Sequence, residues 1–160
     1  MAEYSTEMAA AVSRYLDMNR MRSRFDNDSG SFYITLPMET RLKQMDMEIR
    51  VGASTLISEV RIPLSCESGA VRSVMEFVTR LNAALDFGGF VLDADTGDVS
   101  FRFGLDCAGI RPSYDMIDHL VSLPMIILGT YLDALISVML GYAEAKKALQ
   151  DAALKSISSD

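Results

Sequence analysis

The segment from Leu81 to Phe103 constrains the fold of this 160-residue chain more than any other part. It begins at the end of an apolar helix stripe. Gly88-Gly89 follows, and glycine readily takes the left-handed conformation that a helix C-terminus needs. Phe90-Val91-Leu92 then begins a strand, and Asp95-Thr96-Gly97-Asp98 turns the chain into a second one. The segment predicts a helix followed by a β-hairpin, and it contains no pattern typical of catalysis.

Four runs of alternating apolar and polar residues predict strands with one buried and one solvated face. Their apolar positions are Phe32, Ile34 and Leu36; Met45, Met47, Ile49 and Val51; Leu56, Val60 and Ile62; and Val99, Phe101, Phe103 and Leu105. Pro37 and Pro63 are expected to end the first and third runs. Phe25 to Gly30 is interpreted as a short strand end and a turn. With Phe90-Val91-Leu92, the sequence predicts a five-stranded antiparallel sheet.

Three helices are predicted around these strands. The stripe of the first is Met8, Ala11, Val12, Tyr15 and Leu16; that of the second is Val71, Val74, Met75, Val78, Leu81 and Leu85. The third begins at the N-cap Ser113 and runs to about Gln150, with a kink at Pro124. The expected fold class is α+β, in the order α-β-β-β-α-β-β-α, with helices packed on one face of the sheet. One domain spans residues 1–160, and residues 151–160 are expected to form a frayed tail.

Charge and cysteine content narrow the function classes. The chain has 15 Lys and Arg against 22 Asp and Glu, a net charge of −7. We see no Lys/Arg cluster, so nucleic acid is not an expected partner. No secretory signal begins the sequence, and a cytoplasmic location is expected. Cys66 and Cys107 are interpreted as reduced thiols that pack as small hydrophobic groups, with a redox pair as the alternative.

Two motifs resemble functional sites but lack residues that those sites require. Asp93 to Asp98 begins like a calcium loop, but its twelfth position is Gly104 where an EF-hand requires glutamate. His119 has Asp115 and Asp118 nearby but no accompanying nucleophile signature. The sequence therefore predicts no catalytic residues, no cofactor and no metal site, and hence a protein that is not an enzyme.

The apolar run from Leu120 to Leu140 is long enough to span a membrane. Asp133 and Pro124 argue against a span, because a charge and a proline are costly there. We interpret the run as a helix buried on both sides, by the sheet and by a second copy of the chain. The candidate dimer or partner surface is Ile127, Leu128, Tyr131, Leu135 and Met139.

Eleven methionines are many for this length, and methionine serves both as core filler and at adaptable binding surfaces. Met45, Met47 and Met75 fit the core. Met8, Met18, Met21 and Met38 fit either the core or a binding groove.

The helix-to-hairpin unit resembles the YbjN family of bacterial proteins. In that family an asparagine in a Leu-Asn pair closes a helix, a glycine precedes a strand, and a Gly-Asp/Glu-Val-x-Phe-Arg return follows. The matching positions are Asn82, Gly88, Phe90, Asp93, Gly97, Val99, Phe101 and Arg102. The resemblance covers roughly residues 8–145, and the C-terminal helix is more hydrophobic than the family pattern.

The resemblance implies a fold similar to type III secretion chaperones, which commonly dimerise and bind other proteins, and a role as a sensory-transduction regulator. It makes Asn82, Gly88, Phe90, Gly97 and Phe101 a structural motif. The predicted function is a non-enzymatic protein-binding module, chaperone-like or regulatory, that acts as a homodimer on an unidentified protein client. The alternative is a small-molecule sensor or enzyme with a pocket between the sheet and the C-terminal helix, near Tyr131, Asp133 and His119.

Overall fold

Six strands and four α-helices make up residues 3–158, the part of the chain that the computed structural model describes. The helices are α1 (Thr6–Met18), α2 (Val71–Asn82), α3 (Tyr114–Met139) and α4 (Ala145–Ser158). The strands are β1 (Ser23–Asp26), β2 (Ser31–Pro37), β3 (Gln44–Val51), β4 (Thr55–Ser65), β5 (Gly89–Leu92) and β6 (Asp98–Asp106). The fold is α+β with an antiparallel sheet, as the alternating runs predicted.

The sheet has the strand order β1-β2-β3-β4-β6-β5, with every pair antiparallel. Its register aligns one apolar row across five strands, and that row is Ile34, Met47, Val60, Phe101 and Phe90. The side chains of cross-strand neighbours point to the same face of the sheet. This row and the apolar rows beside it therefore form one buried face. The helices pack on that face.

The sheet has six strands where five were predicted, because Ser23–Asp26 pairs with β2 as a strand of its own. Pro63 also lies inside β4, although it was expected to end that strand. The ladder between β4 and β6 is irregular between Arg61 and Ser65. An interrupted ladder needs no hydrogen-bond donor from proline, so the strand continues through it.

Helix α2 ends at Asn82, so Leu85 and the helix end expected at Gly88-Gly89 lie beyond it. Within the helix, the buried stripe differs most from the prediction at two positions. Phe77 is fully buried and was missed, whereas Met75 is half-exposed and was wrongly placed in the core. Val74, Val78 and Leu81 are buried as predicted. Met75 lies one residue beyond Val74 and is therefore rotated about 100° from the stripe, while Phe77, three residues on, returns to it.

The predicted last helix is two helices. Ser113 caps α3 as expected, its Oγ accepting the Met116 N–H at 3.2 Å, and Pro124 lies inside it. The chain then leaves α3 at Met139 instead of continuing to Gln150. The N–H groups of Gly141 and Tyr142 donate back to the carbonyls of Val138 and Ser137, and the φ of Gly141 is +76°. This is a Schellman ending, which glycine favours.

After that turn α4 folds back along α3 and also contacts α2. Its buried residues are Ala145 and Ala152. Residues 151–158, expected as a frayed tail, lie in α4, and residues 159–160 lie outside the described part. α3 packs on β4 and β6 with one side, and the chain's own α4 covers part of the other side.

Candidate functional site

Asn82 joins the end of α2 to the first residues of β5. Its Nδ2 donates to the Phe90 carbonyl at 2.9 Å, and its Oδ1 accepts the Phe90 N–H at 2.8 Å. The side-chain amide thus bonds to Phe90 as a neighbouring strand would. It fixes where β5 begins relative to the helix.

The other motif residues lie around this junction and have steric roles. Gly88 has a φ of +70°, and a Cβ there would meet the Phe101 ring at 2.8 Å. Phe101 is fully buried and packs edge-on against Phe90, with ring centroids 5.1 Å apart. Gly97 has a φ of +77° and lies against the backbone of Cys66, 3.1 Å from where its Cβ would be. The motif residues therefore have a structural role, at the junction of α2, β5 and β6.

We expect Asn82→Ala to lower the free energy of unfolding by about 2 kcal/mol, since two side-chain to backbone hydrogen bonds are lost. Urea denaturation measures the change. Asn27→Ala, in the exposed turn after β1, is the matched control and should be nearly neutral. Equal losses in the two variants would contradict the bridging role of Asn82.

The candidate surface on α3 is only partly a surface. Leu128, Leu135 and Met139 are buried in the chain's own core, so their assignment to a partner surface is wrong. Ile127 and Tyr131 are half-buried. The helix is apolar on nearly every side, so its sequence does not reveal which stripe faces the sheet.

Exposed apolar side chains do occur near the far end of the α3–α4 hairpin. They are Ile126, 63% exposed, on α3, and Leu154 and Ile157, 64% and 74% exposed, on α4. Together with Ile127 we call them the hairpin patch. The two helices run antiparallel, because Gly129 and Thr130 line a common cleft with Lys155 and Ser156. Ile126 and Ile157 therefore lie at the same end.

That cleft between α3 and α4 has a volume of about 540 Å³. Asp133 lies in it and accepts the Arg41 N–H at 2.8 Å, and the Arg41 guanidinium donates to Ser137 at 3.2 Å. The predicted pocket was to lie between the sheet and the helix, near His119, Tyr131 and Asp133. Of these three, only Asp133 lines the cleft.

The space between α3 and the sheet is filled. Leu120, Val121, Leu128 and Leu132 are all at most 1% exposed. α3 is the one described helix long and apolar enough to cross a membrane, by length and composition alone. Core helices pass the same test, and this one packs on the sheet.

A charged network on the outer face of the sheet was not identified from the sequence. Glu59 on β4 is only 6% exposed. Its carboxylate accepts from Arg50 at 2.8 Å and lies 3.5 Å from Arg102, directly opposite on β6. Glu48 faces Glu59 across β3 and β4. Arg50 contacts both carboxylates and offsets their repulsion.

The remaining candidates are an exposed histidine, a hydrogen-bonded tyrosine and two thiols that are wholly or partly buried. His119 is exposed on α3. The Tyr15 hydroxyl donates to Asp118 at 2.7 Å, and burial followed by this carboxylate raises the pKa of Tyr15. Cys66 and Cys107 are free thiols, and burial raises the pKa of both. Among residues 3–158, no group of three or more His, Cys, Asp and Glu could hold a metal ion.

Five of the ten methionines among residues 3–158 are buried in the core. Met8, Met38, Met45 and Met47 are buried. Met18 is exposed at the end of α1. Met21 is half-buried beside a groove.

Comparison with known proteins identifies similar sequences and structures. Residues 9–137 match the model of the YbjN family, described as "Putative bacterial sensory transduction regulator". A solved structure, "Crystal structure of YbjN, a putative transcription regulator from E. coli", has a TM-score of 0.60 at 12% sequence identity. The alignment covers 81% of this chain and 89% of that chain. No curated protein matches this chain. The family match ends within α3, so α4 lies outside it.

Proposed function

From the premise that this chain belongs to the YbjN family, we propose that it is a non-enzymatic cytoplasmic regulator that acts as a homodimer and binds a protein client. The family description is consistent with a regulatory role. A chaperone-like or regulatory protein acts through its surfaces, so the proposal depends on which surfaces are left uncovered.

The hairpin patch is the observation that supports a homodimer. Large apolar side chains that are more than 60% exposed are unfavourable in water, and burying each contributes about 1.5–3 kcal/mol. In a two-fold dimer the same patch meets itself, so Ile126 and Ile157 of one protomer pack against their equivalents in the other. The patch replaces the surface predicted from sequence and retains Ile127 from it.

The state of the buried and half-buried carboxylates supports a role without catalysis. Asp118 accepts from Tyr15, Asp133 accepts from the Arg41 backbone, and Glu59 lies among arginines. Each is engaged by a partner within the chain. The pKa of Glu59 is lowered, whereas a general acid at neutral pH needs a raised one.

We expect the wild-type protein to be a dimer and the double variant Ile126→Asp/Ile157→Asp to be a monomer. The dissociation constant of the dimer should rise at least 100-fold in the variant. Four carboxylates would meet in the dimer interface, where unpaired charge is strongly unfavourable. Light scattering coupled to size-exclusion chromatography, at tens of micromolar protein, measures the change.

Tyr142→Asp is the matched control, since Tyr142 is 82% exposed but lies in the connection between α3 and α4, at the opposite end of the hairpin. It should remain dimeric. A monomeric wild type, or a double variant that stays dimeric, would refute the homodimer.

A further inference from the structure

Three exposed arginines follow α1 in a chain whose net charge is −7. Arg20, Arg22 and Arg24 alternate over five residues. The Arg24 guanidinium carbon lies 4.4 Å from the ring centroid of Tyr33. Neither Arg20 nor Arg22 forms an ion pair with any residue in the range 3–158. The expectation that the chain has no Lys/Arg cluster is therefore wrong here.

Arg20 has a backbone conformation that glycine normally takes. Its N–H donates to Asp17 O at 3.0 Å, and the Met21 N–H donates to Leu16 O at 2.9 Å. These two bonds form a Schellman motif, which puts the residue after the cap in the left-handed region. The φ of Arg20 is +55°. An arginine is strained there, and strain retained in a fold is commonly found where a side chain is used.

A groove of about 700 Å³ opens beside these arginines. β1 pairs with β2 only as far as Ile34, opposite Ser23, whereas β2 continues to Pro37 in its pairing with β3. The groove lies where the two strands diverge. Its apolar lining includes Met21, Leu36 and Met125.

The edge of β2 is open to a new strand at this point. The Met38 N–H donates to Lys43 on the β3 side at 2.9 Å. Backbone groups alternate sides along a strand, so those of Leu36 also face β3 and those of Thr35 face the groove. The ladder with β1 has ended there. An extended segment laid in the groove can bond to Thr35 and continue the sheet.

The positive charge of the three arginines favours a negatively charged segment in the groove. Guanidinium groups two residues apart match carboxylates at alternate positions of an extended chain, while the intervening side chains meet the apolar lining. A nucleic acid would bring its phosphates close to a protein with 22 acidic residues. An acidic peptide segment presents a short stretch of negative charge and fits better.

We propose that this groove, which we call the arginine groove, binds an extended acidic segment of a partner protein as a strand added to β2, with Arg20, Arg22 and Arg24 pairing with its carboxylates. The proposal rests on the proposed function in that it assigns a site to the protein client. It does not depend on the dimer, which the hairpin patch tests separately.

The test is selection of displayed random twelve-residue peptides on the purified full chain. The enriched peptides should be acidic at alternate positions. A synthetic consensus peptide should bind at least tenfold more weakly to Arg20→Glu/Arg22→Glu/Arg24→Glu, since three charge pairs are lost and three repulsions are introduced. Hydrogen exchange at the Thr35 amide should slow when the peptide is bound.

The matched control is Arg14→Glu/Arg72→Glu/Lys146→Glu, which changes the net charge equally at exposed positions on three helices. Its affinity for the peptide should stay within about twofold of wild type. If both triple variants lose binding equally, the effect is one of overall charge and the site assignment fails.

Arg20→Gly separates binding from folding. Glycine suits the left-handed position, so the variant should melt about 2–4 °C higher than wild type. It should also bind the peptide severalfold more weakly. A side chain with only a structural role would not combine these two changes.

The proposal is overturned if no acidic peptides are enriched, or if protection appears away from Thr35. It is also overturned if a twenty-nucleotide single-stranded DNA binds as tightly as the peptide, because the groove would then respond to any polyanion. In each case the hairpin-patch experiment still decides the homodimer.

Discussion

Replacing Gly88 with alanine should lower the free energy of unfolding by about 3 kcal/mol. The left-handed backbone, with φ at +70°, disfavours any Cβ by about 1–2 kcal/mol. The new methyl group would also lie 2.8 Å from the Phe101 ring and 3.0 Å from the Arg102 carbonyl oxygen. Phe101 is fully buried and cannot move without disturbing the core, so overpacking adds a further 1–3 kcal/mol.

Gly109→Ala is the matched control for Gly88→Ala. Its φ is +72°, and no atom lies within 4 Å of the position its Cβ would take. It should therefore show the backbone cost alone, about 1 kcal/mol. Urea denaturation gives both values. Losses of equal size would mean that the contact with Phe101 has no energetic importance.

Glu59→Gln should lower the free energy of unfolding by about 2 kcal/mol at pH 7. The substitution keeps the shape of the side chain but leaves Arg50 and Arg102 without their buried counter-charge. Removing one partner of a fully buried pair costs about 3–5 kcal/mol. The arginines here are about one-third to one-half exposed, and water reduces that cost.

The pH dependence of this effect has a definite sign. Burial alone would raise the pKa of Glu59, but the hydrogen bond from Arg50 and the charges of Arg102, Arg50 and Arg61 outweigh it and hold the pKa below its usual range. Glu59 therefore stabilises the fold fully above about pH 4.3, the ordinary pKa of glutamate, and loses that contribution as the pH falls through its lowered pKa.

Denaturation curves should accordingly show a constant gap between wild type and Glu59→Gln from pH 7 to pH 5, and a shrinking gap below pH 4. Glu76→Gln is the control, since Glu76 pairs with Arg80 on the exposed face of α2. It should cost less than about 0.5 kcal/mol. A gap for Glu59→Gln that does not change with pH would contradict the ionic role of the carboxylate.

The sequence predicted the strands that bury one face in the core. It did not predict the short edge strand β1. β2, β3 and β6 place alternate side chains in the core, which is the pattern that period two detects. β1 buries none of its four residues fully. β1 forms a strand because it pairs with β2, and its own four residues have no pattern that predicts a strand.

Predicting where α3 begins and ends depended on recognising single residues at its two ends. Ser113 was recognised because a polar cap before an apolar run is a strong signal. Gly141 ends α3 but lies in a sequence that stays apolar and helix-prone on either side. Its left-handed turn was therefore missed, and with it α4, which decides how much of α3 stays uncovered.

The family motif was predictable, whereas the charged network and the arginine groove were only partly so. Asn82 was expected to close α2 and does so, whereas Gly88 was expected to end that helix but lies beyond it, where the Phe101 ring leaves no room for a Cβ. Glu59 and Arg102 are 43 positions apart, and only the strand register makes them partners. Arg20, Arg22 and Arg24 were not recognised as a cluster, because their common position beside a groove depends on where β1 stops pairing with β2.

The strands at the two edges of the sheet, β1 and β5, are also its shortest, with four residues each. Long, flat edges allow sheets of different molecules to join and aggregate, and short edges limit this. The β2 backbone beside the arginine groove is a small exception, confined to the residues beyond Ile34. A strand added there has room for only a few hydrogen bonds, so the chain is protected against forming fibres while one short segment can still dock.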